Sequence, residues 1–233
     1  MTSSDEARLG ILMLDSRFPR ICGDVGNPET WDFPVRYAIV PGATPGTIVQ
    51  GDATPFLNAF INAGRTLVEN GCTGLATSCG FLAPMRTKIA SALGVPVAAS
   101  ALEQAAQINA SLSADRRLGI LTISKAALSN AHLIAAGVPP DAVVQGVEDT
   151  AFARCILGNM PELDVARARD ELVVAAKAMV GQTPEVGAIL LECTNMPPYA
   201  ADIAIATGRP VYSIYSYLHW FHDSLLPRHF GQS

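Results

Sequence analysis

The feature that most constrains how this chain folds is an internal repeat built around two cysteines, Cys79 and Cys193. Aligning them places Ala76–Pro84 (ATSCGFLAP) over Leu190–Pro198 (LLECTNMPP), at an offset of 114 residues (193 minus 79). Identical residues recur at seven later positions, namely +5 Pro, +10 Ile, +11 Ala, +13 Ala, +15 Gly, +17 Pro and +18 Val. This match predicts two copies of one structural unit.

The pentapeptide RLGIL also occurs twice, at 8–12 and 117–121, with an offset of 109 residues (117 minus 8). It precedes the cysteine in both copies, and the two offsets differ by five residues (114 minus 109). Duplication of an α/β half explains both matches. Each half then carries one cysteine at the same structural place.

Short apolar runs alternate with helical patterns, which predicts parallel sheets joined by right-handed crossovers. The runs GILML, AILLE and VPVAA suit strands that are covered on both faces. The predicted strands are 9–14, 37–40, 74–78, 95–98, 117–121, 142–145, 186–191 and 210–213. The predicted helices are 54–70, 82–93, 101–111, 125–136, 150–157, 164–180, 198–207 and 215–226, and 41–52 is predicted as turns.

Composition limits the classes of partner that the protein can bind and indicates its cellular location. A net charge of −5 and a pI near 5.3 argue against nucleic acid or an anionic membrane as a partner. No apolar run reaches the roughly 20 residues that span a bilayer. The acidic N-terminus, MTSSDEARLG, does not resemble a signal peptide, and an odd number of cysteines favours reduced thiols. These features predict a cytoplasmic protein.

Motifs for metals and cofactors are absent from the sequence. The five cysteines form no CxxC and no Cys/His spacing suited to zinc, so no metal site is predicted. The chain also lacks GxGxxG and Walker motifs, and none of its three lysines lies in a recognisable pyridoxal-phosphate setting. A bound cofactor is therefore not expected.

Residues 15–35 form a long irregular segment with three prolines and two glycines, which is typical of a lid or binding loop. Arg17, Arg20 and Arg36 lie in it or beside it and are candidates for binding a carboxylate. A solvated arginine is the alternative for each of them. Cys22 lies in the same loop, and its role stays open.

Cys79 and Cys193 both follow predicted strands, where open parallel α/β folds bind their ligands. A helix start offers unpaired N–H groups and a positive dipole end, which suit a carboxylate and favour thiolate over thiol. A pseudo-twofold arrangement would place the thiols across a cleft, as racemisation needs, since one base removes a proton and the opposite acid returns it. The alternative is that they pack as small buried hydrophobes.

At these residues the sequence resembles the aspartate/glutamate/hydantoin racemase superfamily over essentially its whole length. TSCGF, LECTNMP and LGILMLDS carry the resemblance, and Asp15-Ser16 falls where those enzymes have Asp-Ser after the first strand. Two positions depart from the pattern. Gly80-Phe81 replaces the usual Asn-Thr after the first cysteine, and Asn195 replaces the histidine that follows the second Cys-Thr.

The resemblance implies an α/β fold of two pseudo-symmetric flavodoxin-like halves with parallel sheets and an active-site cleft between them. The C-terminal segment is expected to return to the first half. The implied division is 1–100 plus 209–233 for the first half and 101–208 for the second.

The implied function is a cofactor-independent racemase or epimerase of an amino acid or related carbon acid, with aspartate or glutamate favoured. Cys79 and Cys193 would be the acid/base pair acting on a small-molecule carboxylate, and homo-oligomerisation stays open. The residues expected to bind substrate are Ser16, Thr77, Ser78, Gly80, Phe81, Thr194 and Asn195. The alternatives are a hydantoin racemase, a maleate cis–trans isomerase or a non-catalytic binding module, whereas Cys79 argues against an arylmalonate decarboxylase.

Overall fold

The computed structural model describes residues 7–228 and residue 231. Residues 1–6, which contribute to the expectation that no signal peptide is present, lie outside the described residues. The first sheet contains four parallel strands in the order β2-β1-β3-β4. They are β1 Leu9–Leu14, β2 Val35–Val40, β3 Gly74–Thr77 and β4 Val97–Ala98.

The second sheet repeats this arrangement with strands in the order β6-β5-β7-β8, again all parallel. They are β5 Arg117–Thr122, β6 Val143–Gly146, β7 Val186–Leu191 and β8 Val211–Tyr212. A 2-1-3-4 order is that of the flavodoxin-like fold. The predicted fold class, two pseudo-symmetric α/β halves with parallel sheets, is therefore confirmed.

Helices flank both sheets, and the central strands β1, β3, β5 and β7 are buried over nearly their whole length. The helices are α1 Pro45–Gln50, α2 Leu57–Glu69, α3 Arg86–Leu93, α4 Ala105–Ser111, α5 Asn130–Ala136, α6 Ala151–Leu157, α7 Val165–Gln182, α8 Ala200–Thr207 and α9 Ile214–Leu225. Burial on both faces explains the unbroken apolar runs of these strands.

The aligned glycines of the repeat occupy the same conformation in both halves. Gly94 ends α3 and Gly208 ends α8, with φ angles of 69° and 64°. This left-handed geometry is disfavoured for residues with a Cβ, so glycine is the expected C-cap. The correspondence confirms that the sequence repeat is a structural repeat.

Several predicted helix starts are wrong. The first turns of four predicted helices are 3₁₀ segments, at Thr54–Phe56, Gly80–Met85, Ala101–Gln104 and Pro197–Tyr199, so the α-helices begin later. Proline lies in three of these segments.

Two further boundaries differ from the prediction. Helix α1 was predicted as turns, although Thr44 caps it and Pro45 occupies its first position. Helix α5 begins after Ser129, which forms a capping box with His132, rather than at residue 125.

The division of the chain at residues 100/101 and 208/209 stays a prediction. Strand β8 pairs with β7 in the second sheet, and helix α9 contacts both β3 and β8. In the described part of the chain, no helix combines the length and the apolarity that crossing a bilayer requires.

Candidate active site

A cleft lies between the two halves at the carboxyl ends of the strands. Cys79 follows β3, Cys193 follows β7, and both line the cleft while only 7% of each residue is exposed. The empty volume of the cleft, including its opening to solvent, is about 340 Å³. The duplicated fold thus brings the two predicted cysteines into one site, because both follow strands whose carboxyl ends face the cleft.

Two hydrogen bonds, one between the halves and one within the first half, fix the turns that carry the cysteines. The Thr194 hydroxyl donates to the backbone oxygen of Ser78 at 2.8 Å. The Ser78 hydroxyl accepts from the backbone N–H of Leu14 at 2.9 Å. Because these groups are buried, the bonds hold the backbone on either side of the cleft in a fixed register.

The long loop 15–35 contributes a charged network to the cleft. Arg20 donates to the Asp24 carboxylate at 2.7 Å and to the Ser16 hydroxyl at 2.9 Å. Asp24 also accepts from the Asn195 side-chain amide at 2.5 Å. The Cys193 thiol donates to the Asn195 amide oxygen at 3.5 Å. A continuous chain of contacts therefore links the loop to the second cysteine.

Of the three candidate arginines, only Arg20 lines the cleft, and its guanidinium carbon lies 4.8 Å from the centre of the Phe18 ring. Arg17 is exposed, and Arg36 is exposed on the edge strand β2. Cys22 is also exposed, and its thiol contacts a backbone oxygen of the loop rather than the cleft. Binding of a carboxylate by Arg20 stays a prediction.

A buried carboxyl group, Glu192, lines the cleft directly before Cys193. Its Oε2 accepts from the Thr122 hydroxyl at 2.9 Å. Its Oε1 lies against Gly80, so a Cβ at position 80 would overlap with this oxygen. The absence of a side chain at Gly80 therefore makes room for the acid.

Burial raises the pKa of the Glu192 carboxyl to about 7, with hydrogen bonds from Thr122 and the Ile123 backbone acting in the opposite direction. A carboxyl group in this range exchanges its proton near neutral pH. It is the acid in the cleft whose titration falls closest to physiological conditions.

The expectation that the cysteines favour the thiolate form is wrong. Burial and the nearby Glu192 raise the pKa of Cys79 to about 12, against the smaller effects of the Phe81 N–H and Arg20. The same two causes raise the pKa of Cys193 well above its usual value, and Cys79 and Asp24 add to the rise.

The backbone N–H groups just after the two cysteines lower the thiol pKa by less than burial raises it. The α-helices that follow the cysteines begin seven residues after each of them, at Arg86 and Ala200. A 3₁₀ segment nevertheless begins directly after Cys79, and the N–H of Phe81 in that segment lowers the pKa of the Cys79 thiol, but burial outweighs this effect.

The other predicted binding residues divide into two groups. Ser78, Gly80, Phe81, Thr194 and Asn195 line the cleft, and Ser16 contacts it through Arg20. Thr77 is fully buried behind it, where its hydroxyl donates to the backbone oxygens of Ala99 and Cys79 at 2.7 and 3.0 Å. The substrate-binding role of these residues stays a prediction.

Sequence reasoning missed Glu192, Asp24 and the apolar wall of the cleft apart from Phe81. The wall consists of Leu14, Phe18, Pro45, Val49, Phe81, Ile123, Ile156 and Leu157. The sequence contained a signal for Glu192, because this acid ends the apolar run AILLE. Burying a carboxyl group costs free energy, so its presence at the end of a buried strand indicates a specific role. Among the described residues, no cluster of three or more His, Cys, Asp or Glu side chains could hold a metal ion.

Curated relatives of this chain are lyases. It is 30% identical over 214 residues to dimethylsulfoniopropionate lyase from Durusdinium sp. clade D, a match that covers 88% of this chain and 71% of the relative. It is also 30% identical over 220 residues to dimethylsulfoniopropionate lyase 3 from Emiliania huxleyi strain CCMP1516, covering 90% of this chain and 57% of that one. The chain belongs to the dimethylsulfoniopropionate lyase family.

The members named above are enzymes. Their activity corrects the function predicted from the sequence. The predicted inversion of an amino-acid α-carbon is wrong, because the curated relatives that cover most of the chain are named as lyases rather than isomerases. No protein-family model matches the chain.

The solved structures that resemble this lyase-family chain confirm its racemase-superfamily fold. An arylmalonate decarboxylase mutant has a TM-score of 0.62 and 16% identity, over 93% of this chain and 92% of that one. Glutamate racemase from Francisella tularensis subsp. tularensis has a TM-score of 0.57 and 12% identity, over 98% and 85%. The recognition of the aspartate/glutamate/hydantoin racemase superfamily is thus confirmed at the level of the fold.

Proposed function

We propose that this protein is a lyase that cleaves dimethylsulfoniopropionate by β-elimination. The observation that carries the proposal is 30% identity to a dimethylsulfoniopropionate lyase across 88% of the chain. The substrate is a carboxylate, in keeping with the small-molecule carboxylate expected from the sequence. It also carries a positive sulfonium group on the β-carbon.

The reaction that these groups support removes a proton and a neutral sulfide. A base takes a proton from the carbon next to the carboxylate, and the electron pair of that C–H bond forms the new C=C bond. The bond between the β-carbon and sulfur breaks, and its electrons leave with sulfur. The products are acrylate, dimethyl sulfide and the protonated base, so atoms and charges balance.

The cleft contains groups for each part of this substrate. Arg20 has five N–H donors, of which its bonds to Asp24 and Ser16 use two, so others can bind the carboxylate. The apolar wall, including Phe81 and Ile123, suits the methyl groups on sulfur. A thiolate of Cys79 or Cys193 is the base, and the leaving sulfide requires no acid because it departs neutral.

A cationic substrate also lowers the raised pKa of the thiols. In the free protein both thiols are protonated at neutral pH because they are buried beside Glu192. A sulfonium group that enters the cleft favours every negative charge near it, and so lowers the pKa of both thiols. Substrate binding would thereby help to generate the base.

The test is to incubate the purified protein with dimethylsulfoniopropionate and to measure both products. Headspace gas chromatography would detect dimethyl sulfide, and NMR would detect acrylate in equal amount. The control is the double variant Cys79→Ala with Cys193→Ala, which we expect to release neither product above the spontaneous rate. Equal product release by wild type and the double variant, or none by either, would contradict the proposal.

A further inference from the structure

The charged groups of the cleft are arranged for a ligand that carries both signs. Of the described residues that line it, Arg20 and Glu192 are those with a guanidinium or a carboxyl group. Arg20 already shares its charge with Asp24, at 2.7 Å. Glu192, in contrast, is held by neutral donors, the Thr122 hydroxyl and the backbone N–H of Ile123.

The surroundings of Glu192 hold its carboxyl group in one buried position. Only 1% of Glu192 is exposed. A Cβ at position 80 would overlap with its Oε1, so the absence of a side chain at Gly80 leaves the space that the carboxyl occupies. Burying a carboxylate costs free energy unless an opposite charge or hydrogen bonds compensate. One hydroxyl and one backbone N–H compensate only in part, which leaves negative charge without a cationic partner.

We infer that Glu192 selects substrates with a positive group on the β-carbon, by supplying the negative charge that this group meets in the cleft. The inference deepens the lyase function proposed above and rests on it. It also implies that the cleft disfavours dicarboxylates such as aspartate and glutamate, whose second carboxylate would face Glu192.

The other ionisable groups near Glu192 do not replace it. Cys79 and Cys193 are neutral thiols at neutral pH. Asp24, in contrast, is already paired with the Arg20 guanidinium and accepts a hydrogen bond from the amide of Asn195. Glu192 is thus the group whose ionisation a bound cation would most favour.

The inference is tested by a pair of ligands that differ in one atom and need not react. These are 3-(trimethylammonio)propionate and 4,4-dimethylpentanoate, which have the same shape but carry positive nitrogen and neutral carbon, respectively. Isothermal titration calorimetry would measure their binding to wild type, Glu192→Gln and the control Glu103→Gln. Glu103 is a carboxyl that is buried outside the cleft and bonded to Tyr217.

We expect wild type and Glu103→Gln to bind the cation about 10- to 100-fold more tightly than the neutral ligand, as for contacts to a charged group. Glu192→Gln should bind the two ligands about equally. The preference of wild type should rise with pH through neutrality as Glu192 ionises, whereas that of Glu192→Gln should stay flat.

The outcomes separate this inference from the proposed lyase function. Equal binding of the two ligands by wild type, failure of the cation to bind, or an unchanged preference in Glu192→Gln would overturn the role of Glu192. A clear preference that disappears in Glu192→Gln, with no dimethyl sulfide released from dimethylsulfoniopropionate, would support the role while contradicting the lyase function.

Discussion

The two cysteine turns have the same backbone plan but different chemical surroundings. At the repeat offset of 114, Ser78 corresponds to Glu192, and Gly80 corresponds to Thr194. The first half thus places a neutral hydroxyl before its cysteine, and the second half places a buried acid there. The small residue of the first turn, Gly80, makes room for the acid of the second.

This difference shows that a duplicated fold need not give a symmetric site. Inversion of a carbon centre uses two groups that exchange roles on opposite faces, so similar surroundings would serve it. An elimination needs one base, and a charge on one side that suits the leaving group. The asymmetry introduced by Glu192 agrees better with the lyase relatives than with the racemase predicted from paired cysteines.

The largest expected effect comes from replacing the cysteines one at a time. Cys79→Ser and Cys193→Ser should lower kcat/KM for dimethylsulfoniopropionate by clearly unequal factors, because only one base is needed. The variant that lacks the base should lose about 10²- to 10⁴-fold. Steady-state assays of dimethyl sulfide release would measure both losses. Equal losses would indicate that the two thiols act as a unit and would contradict a functional difference between the two cysteine turns.

A second prediction concerns the stability cost of the buried acid. The pKa of Glu192 is raised from 4.5 to about 7, so as pH rises through this interval the unfolded chain loses its proton first and the folded state loses stability. Glu192→Gln removes this penalty. Its stability advantage over wild type should grow by about 2 kcal/mol between pH 5 and pH 8 in urea unfolding.

Glu171 provides a control of opposite sign for this experiment. Its carboxylate accepts the backbone N–H groups of Ala151 and Phe152, and its pKa is lowered despite partial burial. Glu171→Gln should therefore lose stability relative to wild type as pH rises. A Glu192→Gln curve parallel to that of wild type would show that the acid is not strained by burial.

An effect smaller than the loss of the base is expected from adding one methyl group to the first turn. In Gly80→Ala the new Cβ would overlap with the Glu192 carboxylate, and overpacking of this kind costs about 1–3 kcal/mol. The control is Gly181→Ala in helix α7, where a Cβ meets nothing within 4 Å and should be neutral or stabilising. Similar unfolding midpoints for the two variants would show that Glu192 moves aside easily.

The sequence allowed the fold to be predicted because its signals are local and repeated. The strands Leu9–Leu14 and Val186–Leu191 were predicted to the residue, since unbroken apolar runs have sharp ends. The convergence of Cys79 and Cys193 followed from the repeat and from the geometry of parallel sheets. Cytoplasmic location and oligomeric state remain predictions.

The remaining features depend on contacts between distant residues, which a single sequence does not record. The thiol pKa depends on burial and on Glu192, so the N–H groups and dipole of a helix start alone gave the wrong sign. The selection of Arg20 over Arg17 and Arg36 required the path of the loop. The reaction class was missed because both a racemase and a lyase use a base next to a carboxylate.

The fit between Gly80 and Glu192 also has an evolutionary consequence. Because a Cβ at position 80 would overlap with the Glu192 carboxyl, the side chains at positions 80 and 192 compete for the same space. Bulk at position 80 displaces the carboxyl at position 192, so the acid fits best beside glycine. Among descendants of this duplicated fold, the pair at 80 and 192 should therefore change together, and its state should mark which members accept a positively charged leaving group.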